Sequence, residues 1–253
     1  MRALGLVLLL LIASLPARAG EIIGALSQNR VDLTATFSGS EILIFGAVRH
    51  APEDMIDGQP RPFDVVITVE GPRQTVYVFR KDRVAGIWMN TDQVRMESVP
   101  SFYAVATTGP LETILSPETD AEYRISTHAT IGGATEGVQP LFAEALTRIR
   151  ERGGSYLALN RYVHMDREVL FRTVVRLPAN LTEGAYTTRM YLVRDGAVIS
   201  QYRTAIFVRK DGLERWLHQM AYDQPLLYGV MALLMALAAG WGASALVAAI
   251  RDR

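Results

Sequence analysis

The chain has 253 residues, of which 49% are hydrophobic, and its formal net charge is zero. A neutral chain lacks the basic footprint of a general nucleic-acid binder, so we predict no nucleic-acid partner. The absence of cysteine excludes disulfides, thiolate metal sites and a cysteine nucleophile. The hydrophobic fraction predicts a packed core, and the length allows one large domain or two small ones.

Residues 1–19 are typical of a secretory signal peptide. Arg2 supplies positive charge, an apolar run covers residues 4–15, and Ala17-Arg18-Ala19 matches a small-x-small cleavage site. The apolar run is short for a bilayer core of about 30 Å, which favours cleavage over a permanent anchor. We therefore expect the mature chain to begin at Gly20, with its main domain, residues 20–211, in the periplasm.

The central part of the chain has the patterns of β-strands. Alternating or continuous apolar runs predict strands at residues 31–37, 42–48, 65–69, 75–80, 102–107 and 169–177. One amphipathic helix interrupts them at residues 139–152, with Pro140 in its first turn and Gly153-Gly154 after its end.

The clearest unit is a hairpin near the end of the domain. Asp195-Gly196 separates two strand patterns, and this dipeptide favours a type I′ turn. Just upstream, Leu181-x-x-Gly184-x-Tyr186 resembles the corner of immunoglobulin-like sandwiches, where a tyrosine hydroxyl binds the upstream backbone. We therefore predict a mainly β fold: an immunoglobulin-like β-sandwich with one inserted amphipathic helix, plus a C-terminal transmembrane helix.

Residues 225–250 contain no charged side chain and predict this membrane-spanning helix. Arg251 and Arg253 follow directly, so the positive-inside rule predicts a cytoplasmic tail at 251–253. Residues 212–224 form a short amphipathic stretch beside the membrane. Together these segments predict a single-pass protein of the bacterial inner membrane, in contact with its lipid.

A ridge of small residues runs along the predicted membrane helix. Ala236, Gly240 and Ser244 recur at four-residue spacing, which places them on one side of a helix. Small residues allow the close backbone approach that drives helix association in lipid. The ridge predicts either a homodimer or a contact with an integral transporter, although an alanine-rich composition alone would also align small residues.

The most distinctive loop signal lies between residues 86 and 103. Trp88, Asn90, Asp92, Phe102 and Tyr103 combine aromatic side chains with turn-forming polar ones, and we predict a binding edge there. The alternative is ordinary strand-turn-strand packing.

This region also carries a family resemblance. The run at 84–111 contains Ala85-Gly86-Ile87-Trp88, Asn90-Thr91-Asp92 and the stretch from Val99 to Val105, and it resembles an alphaproteobacterial family of transmembrane proteins of unknown function. The resemblance covers nearly the whole chain but brings no catalytic residues. Because members are often encoded beside a sulfite-exporter-type membrane protein, it implies an accessory role at a sulfite or anion exporter.

No catalytic motif accompanies these features: there is no phosphate loop, no G-x-S-x-G elbow and no H-E-x-x-H. We predict a non-enzymatic accessory or binding module without a cofactor. Two alternatives stay open. The first is a periplasmic metal-binding protein or enzyme that uses His164, Asp166 and the acidic loop at 53–57. The second is a structural envelope protein.

Overall fold

The computed structural model describes residues 20–34, 37–49, 55–56, 59–132, 139–167, 169–210 and 220–251. The predicted signal peptide, the acidic side chains of the loop at 53–57 and most of the segment at 212–224 lie outside these residues. The chain divides into two compact units. The first, here called the body, contains Ser38–Val208 and the chain up to Val31; the second contains Asp32–Phe37 and Arg209–Arg253.

The body is built mainly of strands. In chain order these are β1 Glu21–Leu26, β2 Arg30–Leu33, β3 Ser40–Arg49, β4 Met55–Ile56, β5 Gln59–Pro60, β6 Asp64–Glu70, β7 Arg73–Val84, β8 Ile87–Pro100, β9 Tyr103–Thr107, β10 Tyr156–Leu159, β11 His164–Asp166, β12 Leu170–Leu177, β13 Gly184–Arg194 and β14 Ala197–Lys210. The helices are α1 Leu111–Ile114, α2 Pro117–Tyr123, α3 Thr127–Gly132, α4 Pro140–Arg152 and, in the second unit, α5 Pro225–Arg251.

Two sheets pack face to face. One has the order β1-β3-β12-β11, and the other has the order β10-β9-β6-β13-β14-β2. The sheets approach most closely where Met190 of β13 lies over Gly24 of β1: a Cβ atom at Gly24 would lie 2.1 Å from the Met190 Sδ. Glycine at this position therefore allows the two layers to close around a dry core.

The second face of the six-stranded sheet is covered by the helices and by the base of the β7–β8 hairpin. Tyr103, Val105 and Tyr191 point to this side and pack with Ile125, Phe142 and other apolar residues of the helical segment. The strand β6 is consequently apolar on both faces, with Val65, Val66, Ile67 and Val69 all buried. Such a continuous apolar run is typical of a strand covered on both sides.

The mainly β fold is confirmed, and the helix predicted at 139–152 is α4. Three shorter helices precede α4, and together they connect β9 to β10, which pair in parallel. A parallel pair needs a long crossover connection, so the helical segment is a requirement of this pairing. This parallel pair is where the sheet departs from the antiparallel order of immunoglobulin domains.

The predicted hairpin and tyrosine corner are both present. Asp195 and Gly196 have φ angles of 52° and 81°, the left-handed conformations that a type I′ turn needs at both positions. The Tyr186 hydroxyl donates a hydrogen bond to the carbonyl oxygen of Thr182 at 2.9 Å. The corner therefore ties the start of β13 to the loop before it.

The second unit contains the long apolar helix α5. Its segment Pro225–Ser244 is long and apolar enough to cross a membrane, and none of it is buried inside the structure. At about 1.5 Å per residue, the full helix is about 40 Å long, which exceeds the hydrocarbon thickness of a bilayer. These properties fit single-pass anchoring in a membrane.

One charged group lies inside the body, on the helix-facing side of the six-stranded sheet. The Glu70 side chain is only 6% exposed, and its two oxygens accept hydrogen bonds from Arg73 Nε at 2.6 Å and from Arg189 Nη1 at 2.7 Å. Burial opposes the charge of Arg189, but the hydrogen bond and negative charge of Glu70 outweigh that effect and raise its pKa. Glu70 thus allows two arginines to adjoin an apolar core.

Removing this carboxylate should destabilise the body. In Glu70→Gln, the partly buried Arg189 loses its counter-charge while the side-chain volume stays nearly constant. We expect a loss of about 2 kcal/mol in the free energy of unfolding, within the usual range for hydrogen bonds to charged groups. The measurement is thermal unfolding of the full chain in mild detergent, monitored by near-ultraviolet circular dichroism.

The matched control is Glu122→Gln, an exposed position on α2 where we expect a change below about 0.5 kcal/mol. Equal effects of the two substitutions would contradict a stabilising role for the Glu70 ion pairs.

Candidate functional site

The predicted binding loop contains a long hairpin. Strands β7 and β8 form a separate two-stranded sheet, closed by Ala85-Gly86 with φ angles of 50° and 88°. Its base is held in the core through Val78, Met96 and Val99, which are buried against the helical segment. Beyond Val78 the hairpin projects by about 20 Å, given the rise of a β-strand.

The tip of this hairpin carries apolar side chains that are largely exposed in the described part of the chain. Ile87 is 68% exposed and Trp88 is 66% exposed, and Val84 and Met89 beside them are also exposed. Of the predicted site residues, Asn90 lies opposite Lys81, and the Asp92 carboxylate lies 3.7 Å from the Arg80 guanidinium. Trp88, Asn90 and Asp92 therefore do share one exposed element.

Phe102 and Tyr103 do not join them, because both are only 1% exposed. Phe102 packs near Tyr186, with ring centroids 6.0 Å apart. The Tyr103 hydroxyl donates a hydrogen bond to the Ile125 carbonyl at 2.5 Å, and burial raises the pKa of Tyr103 well above its usual range. The sequence pattern could not separate the two groups, since aromatic residues are common both in cores and on binding surfaces. The structure limits the exposed site to the hairpin.

A second exposed apolar surface covers the outer face of the four-stranded sheet. Ile23, Leu43, Phe45, Leu170 and Val174 are each at least 38% exposed. The register places them side by side, because Leu43 pairs with Val174 while Ala47 pairs with both Ile23 and Leu170. We call these five residues the apolar face. In an ordinary sandwich the outward positions carry polar side chains, which interact well with water. This surface instead exposes large apolar side chains to the solvent.

Ion pairs border the apolar face, and Arg172 lies within it, directly opposite Phe45. Glu21 pairs with Arg49 at one end, and Arg176 Nε lies 2.8 Å from the Glu41 carboxylate at another. Apolar patches with a polar rim mark interaction sites in many proteins. The sequence indicates this surface through the continuous apolar run at 42–48. In that run the exposed Leu43 and Phe45 alternate with the buried Ile42 and Ile44, so both faces of the strand are apolar.

The apolar face continues into a groove of about 680 Å³ at the edge of the sandwich. Leu43 and Val174 line it together with Leu157, Leu159 and Tyr162, which belong to β10 and the turn after it. The groove falls within the size range of ligand pockets and is mainly apolar, so it extends the surface available to a partner.

The candidate metal ligands His164 and Asp166 lie at the sheet edge next to this groove. Both are exposed on β11, where Asp166 lies 3.8 Å from the Arg172 guanidinium. Within the described parts of the chain, no three His, Asp or Glu side chains are grouped so that they could hold a metal ion. The acidic loop that would supply further ligands lies outside the described residues.

A third region is a small cleft, of about 230 Å³, beside Glu70. Four arginines and two glutamates line it: Arg73, Arg124, Arg189, Arg203, Glu70 and Glu122. Arg189 and Arg203 are directly opposite each other on β13 and β14, an arrangement of like charges that is unfavourable without a counter-ion. Glu70 neutralises only part of this charge, so the cleft keeps an excess of positive charge. No sequence pattern indicates it, because its residues come from distant parts of the chain.

The ridge residues Ala236, Gly240 and Ser244 all lie on α5 and are exposed. A Cβ atom at Gly240 would meet no atom of the described structure within 4 Å beyond the helix itself. The ridge is thus sterically open to a neighbouring helix.

Comparison with known proteins gives one informative match. Residues 21–249 match the family described as "Putative transmembrane protein (Alph_Pro_TM)". No curated protein matches the chain. Among solved structures, the sporulation control protein Spo0M from Bacillus subtilis is similar to 81% of this chain at 9% identity, with a TM-score of 0.29. This chain spans 55% of the length of that protein. Since the family match extends from β1 into α5 and includes the hairpin, the apolar face and the cleft, the chain belongs to this family of transmembrane proteins.

Proposed function

We propose that this protein is a non-enzymatic accessory module of the bacterial inner membrane, which docks an integral membrane partner through the apolar face of its body. The observation that carries the proposal is the outward exposure of Leu43, Phe45 and Val174 on a sheet whose inner face is already fully packed. Covering such a surface removes apolar area from water, which is favourable by about 25 cal/mol per Å². The resemblance noted above favours a sulfite or anion exporter as the partner.

The proposed orientation places the body in the periplasm and the C-terminus in the cytoplasm. The signal-peptide pattern at residues 1–19 and the arginines after α5 support it.

Reporter fusions test the orientation. Alkaline phosphatase fused after Lys210 should be active, because this enzyme acquires its disulfides only in the periplasm. A green fluorescent protein fused after Arg253 should fluoresce, because it folds in the cytoplasm. The same fusions without residues 1–19 serve as the control for export. An inactive phosphatase together with a dark C-terminal fusion would contradict the proposed orientation.

Substitution of Phe45 tests the docking surface. Phe45→Glu replaces a large apolar side chain of the apolar face by a carboxylate, which an interface would have to remove from water even though Arg172 lies opposite it. We expect at least about a tenfold loss in the amount of sulfite-exporter-type protein that co-purifies with the tagged chain in mild detergent. A tenfold change corresponds to about 1.4 kcal/mol.

The matched control is Phe207→Glu, since Phe207 is a similarly exposed phenylalanine on β14, outside the apolar face. Equal recovery of the partner with both variants would rule out docking at this face.

Gly240→Ile examines the membrane side of the same complex. The substitution fills the ridge on α5 while the helix stays apolar, and it should weaken co-purification if the ridge contacts the partner.

A second candidate function is the binding of a small anion, and the arginine cleft favours it. The cleft has room for an ion of sulfite or sulfate size, and Arg189 and Arg203, opposite each other on neighbouring strands, offer guanidinium donors of the kind that bind oxyanions. In this role the protein would hold the transported anion beside the exporter.

Titration calorimetry of the full chain in detergent with sulfite and with sulfate tests this candidate. Arg203→Gln should weaken binding about tenfold or more, because one charge-assisted hydrogen bond contributes about 1.5–3 kcal/mol. Arg148→Gln, on the exposed side of α4, is the control and should leave the affinity unchanged. Absence of any binding heat with the wild-type chain at millimolar anion would dismiss this function while leaving the docking proposal intact.

A further inference from the structure

We infer that the tip of the β7–β8 hairpin inserts into an anionic lipid surface and forms a second membrane contact for the body, independent of α5. The occupant is the bilayer itself, and the inference does not depend on the identity of the partner protein. Its evidence is the chemistry of the tip, the charges behind it and the length of chain that connects the body to the membrane helix.

The tip has the side chains of a membrane-inserting loop. Val84 and Ile87 face each other at the last pair before the turn, with Trp88 and Met89 next to them. All four are about half exposed or more. Exposed apolar groups that lie together in this way often mark sites of interaction with a protein or a membrane. Tryptophan is also the residue that prefers the boundary between headgroups and acyl chains.

Cations stand directly behind these apolar residues. Lys81 and Arg83 follow the exposed Tyr77 on one face of the hairpin, where Arg83 pairs with Trp88 and Tyr77 pairs with Arg95. Phe79 lies on the same face and is 49% exposed. The order from the tip inward is therefore apolar, then mixed aromatic and basic, which is the order that acyl chains and anionic headgroups require.

The acidic residues of the hairpin do not cancel this charge. Asp92 is engaged by Arg80 at 3.7 Å, and Glu97 is engaged by Arg95 at 2.9 Å. Asp82 forms no ion pair among the described residues. Its carboxylate accepts a hydrogen bond from the Arg83 backbone N–H at 3.1 Å. In the projecting part, between Phe79 and Gln93, Arg80, Lys81 and Arg83 stand against Asp82 and Asp92, which leaves a net charge of +1.

The connection to α5 keeps a bilayer within reach. The chain from Val208, where the body ends, to Pro225, where α5 begins, spans at most about 60 Å even when fully extended. Because α5 is an anchor, the lipid surface stays at high effective concentration around the body. A hairpin that is too weak to recruit the protein alone can then still insert.

Trp88 supplies the probe. The full chain carrying Trp216→Phe and Trp241→Phe retains Trp88 as its sole tryptophan and is reconstituted at low density into vesicles. One set of vesicles contains phosphatidylethanolamine with phosphatidylglycerol, and the other contains only phosphatidylcholine. In the anionic vesicles we expect quenching of Trp88 by brominated acyl chains and protection from aqueous iodide. In the neutral vesicles the quenching should be several-fold weaker.

Two variants separate the contributions. Lys81→Gln removes a cation without disturbing the turn and should lower the inserted fraction about fivefold, as expected for one basic residue near an anionic surface. Ile87→Ser removes an apolar side chain at the tip and should lower bromolipid quenching in both vesicle types. Arg148→Gln on α4 is the matched control for charge and should have no effect. Circular dichroism of each variant verifies that the fold is retained.

Each contrary outcome is distinct. Trp88 that stays open to iodide and unquenched by bromolipid in anionic vesicles would overturn the inference. Protection from iodide without bromolipid quenching would indicate a protein contact, such as a second copy of the chain, and would also overturn it. Bromolipid quenching that is unchanged in both Lys81→Gln and Ile87→Ser would show that the hairpin tip is not the inserting element.

Discussion

The strand β6 needs an apolar layer on each side, because Val65, Ile67 and Val69 point to one face of the six-stranded sheet and Val66 points to the other. The four-stranded sheet covers the first face. The helices α1–α4 and the base of the β7–β8 hairpin cover the second. Since both layers depend on contacts with this sheet, its burial on two faces is the constraint that organises the body.

The same constraint explains where charge is tolerated. Arg189 emerges from β13 on the helix-facing side, at the border of the apolar core, and it is tolerated there because Glu70 accepts its hydrogen bond. Each oxygen of the Glu70 carboxylate accepts a hydrogen bond from a guanidinium group, which offsets the cost of removing the charge from water. Arg203, on the neighbouring strand, lines the same cleft as Arg189.

Two apolar parts of the body lie outside its core. The hairpin continues well beyond the layer that holds its base, and the four-stranded sheet carries large apolar side chains on the face that no element of the described structure covers. Both lie on a chain that carries a helix able to span a membrane, which is why we propose lipid and membrane-embedded protein as their partners.

The local patterns of the sequence determined much of this structure. The strand patterns at 65–69 and 169–177, the helix at 139–152, the Asp195-Gly196 turn, the tyrosine corner and the membrane helix follow from periodicity, from glycine's tolerance of positive φ or from apolar length, all of which act over a few residues. Tertiary structure alone decided which aromatic residues are exposed: Trp88 lies on the hairpin whereas Phe102 and Tyr103 lie in the core. It also decided that β9 and β10 pair in parallel and that Arg189 and Arg203 share a cleft with Arg124. The physical reason is the same in each case, since burial and charge proximity depend on residues that are distant in sequence and become neighbours only when the sheets and helices pack.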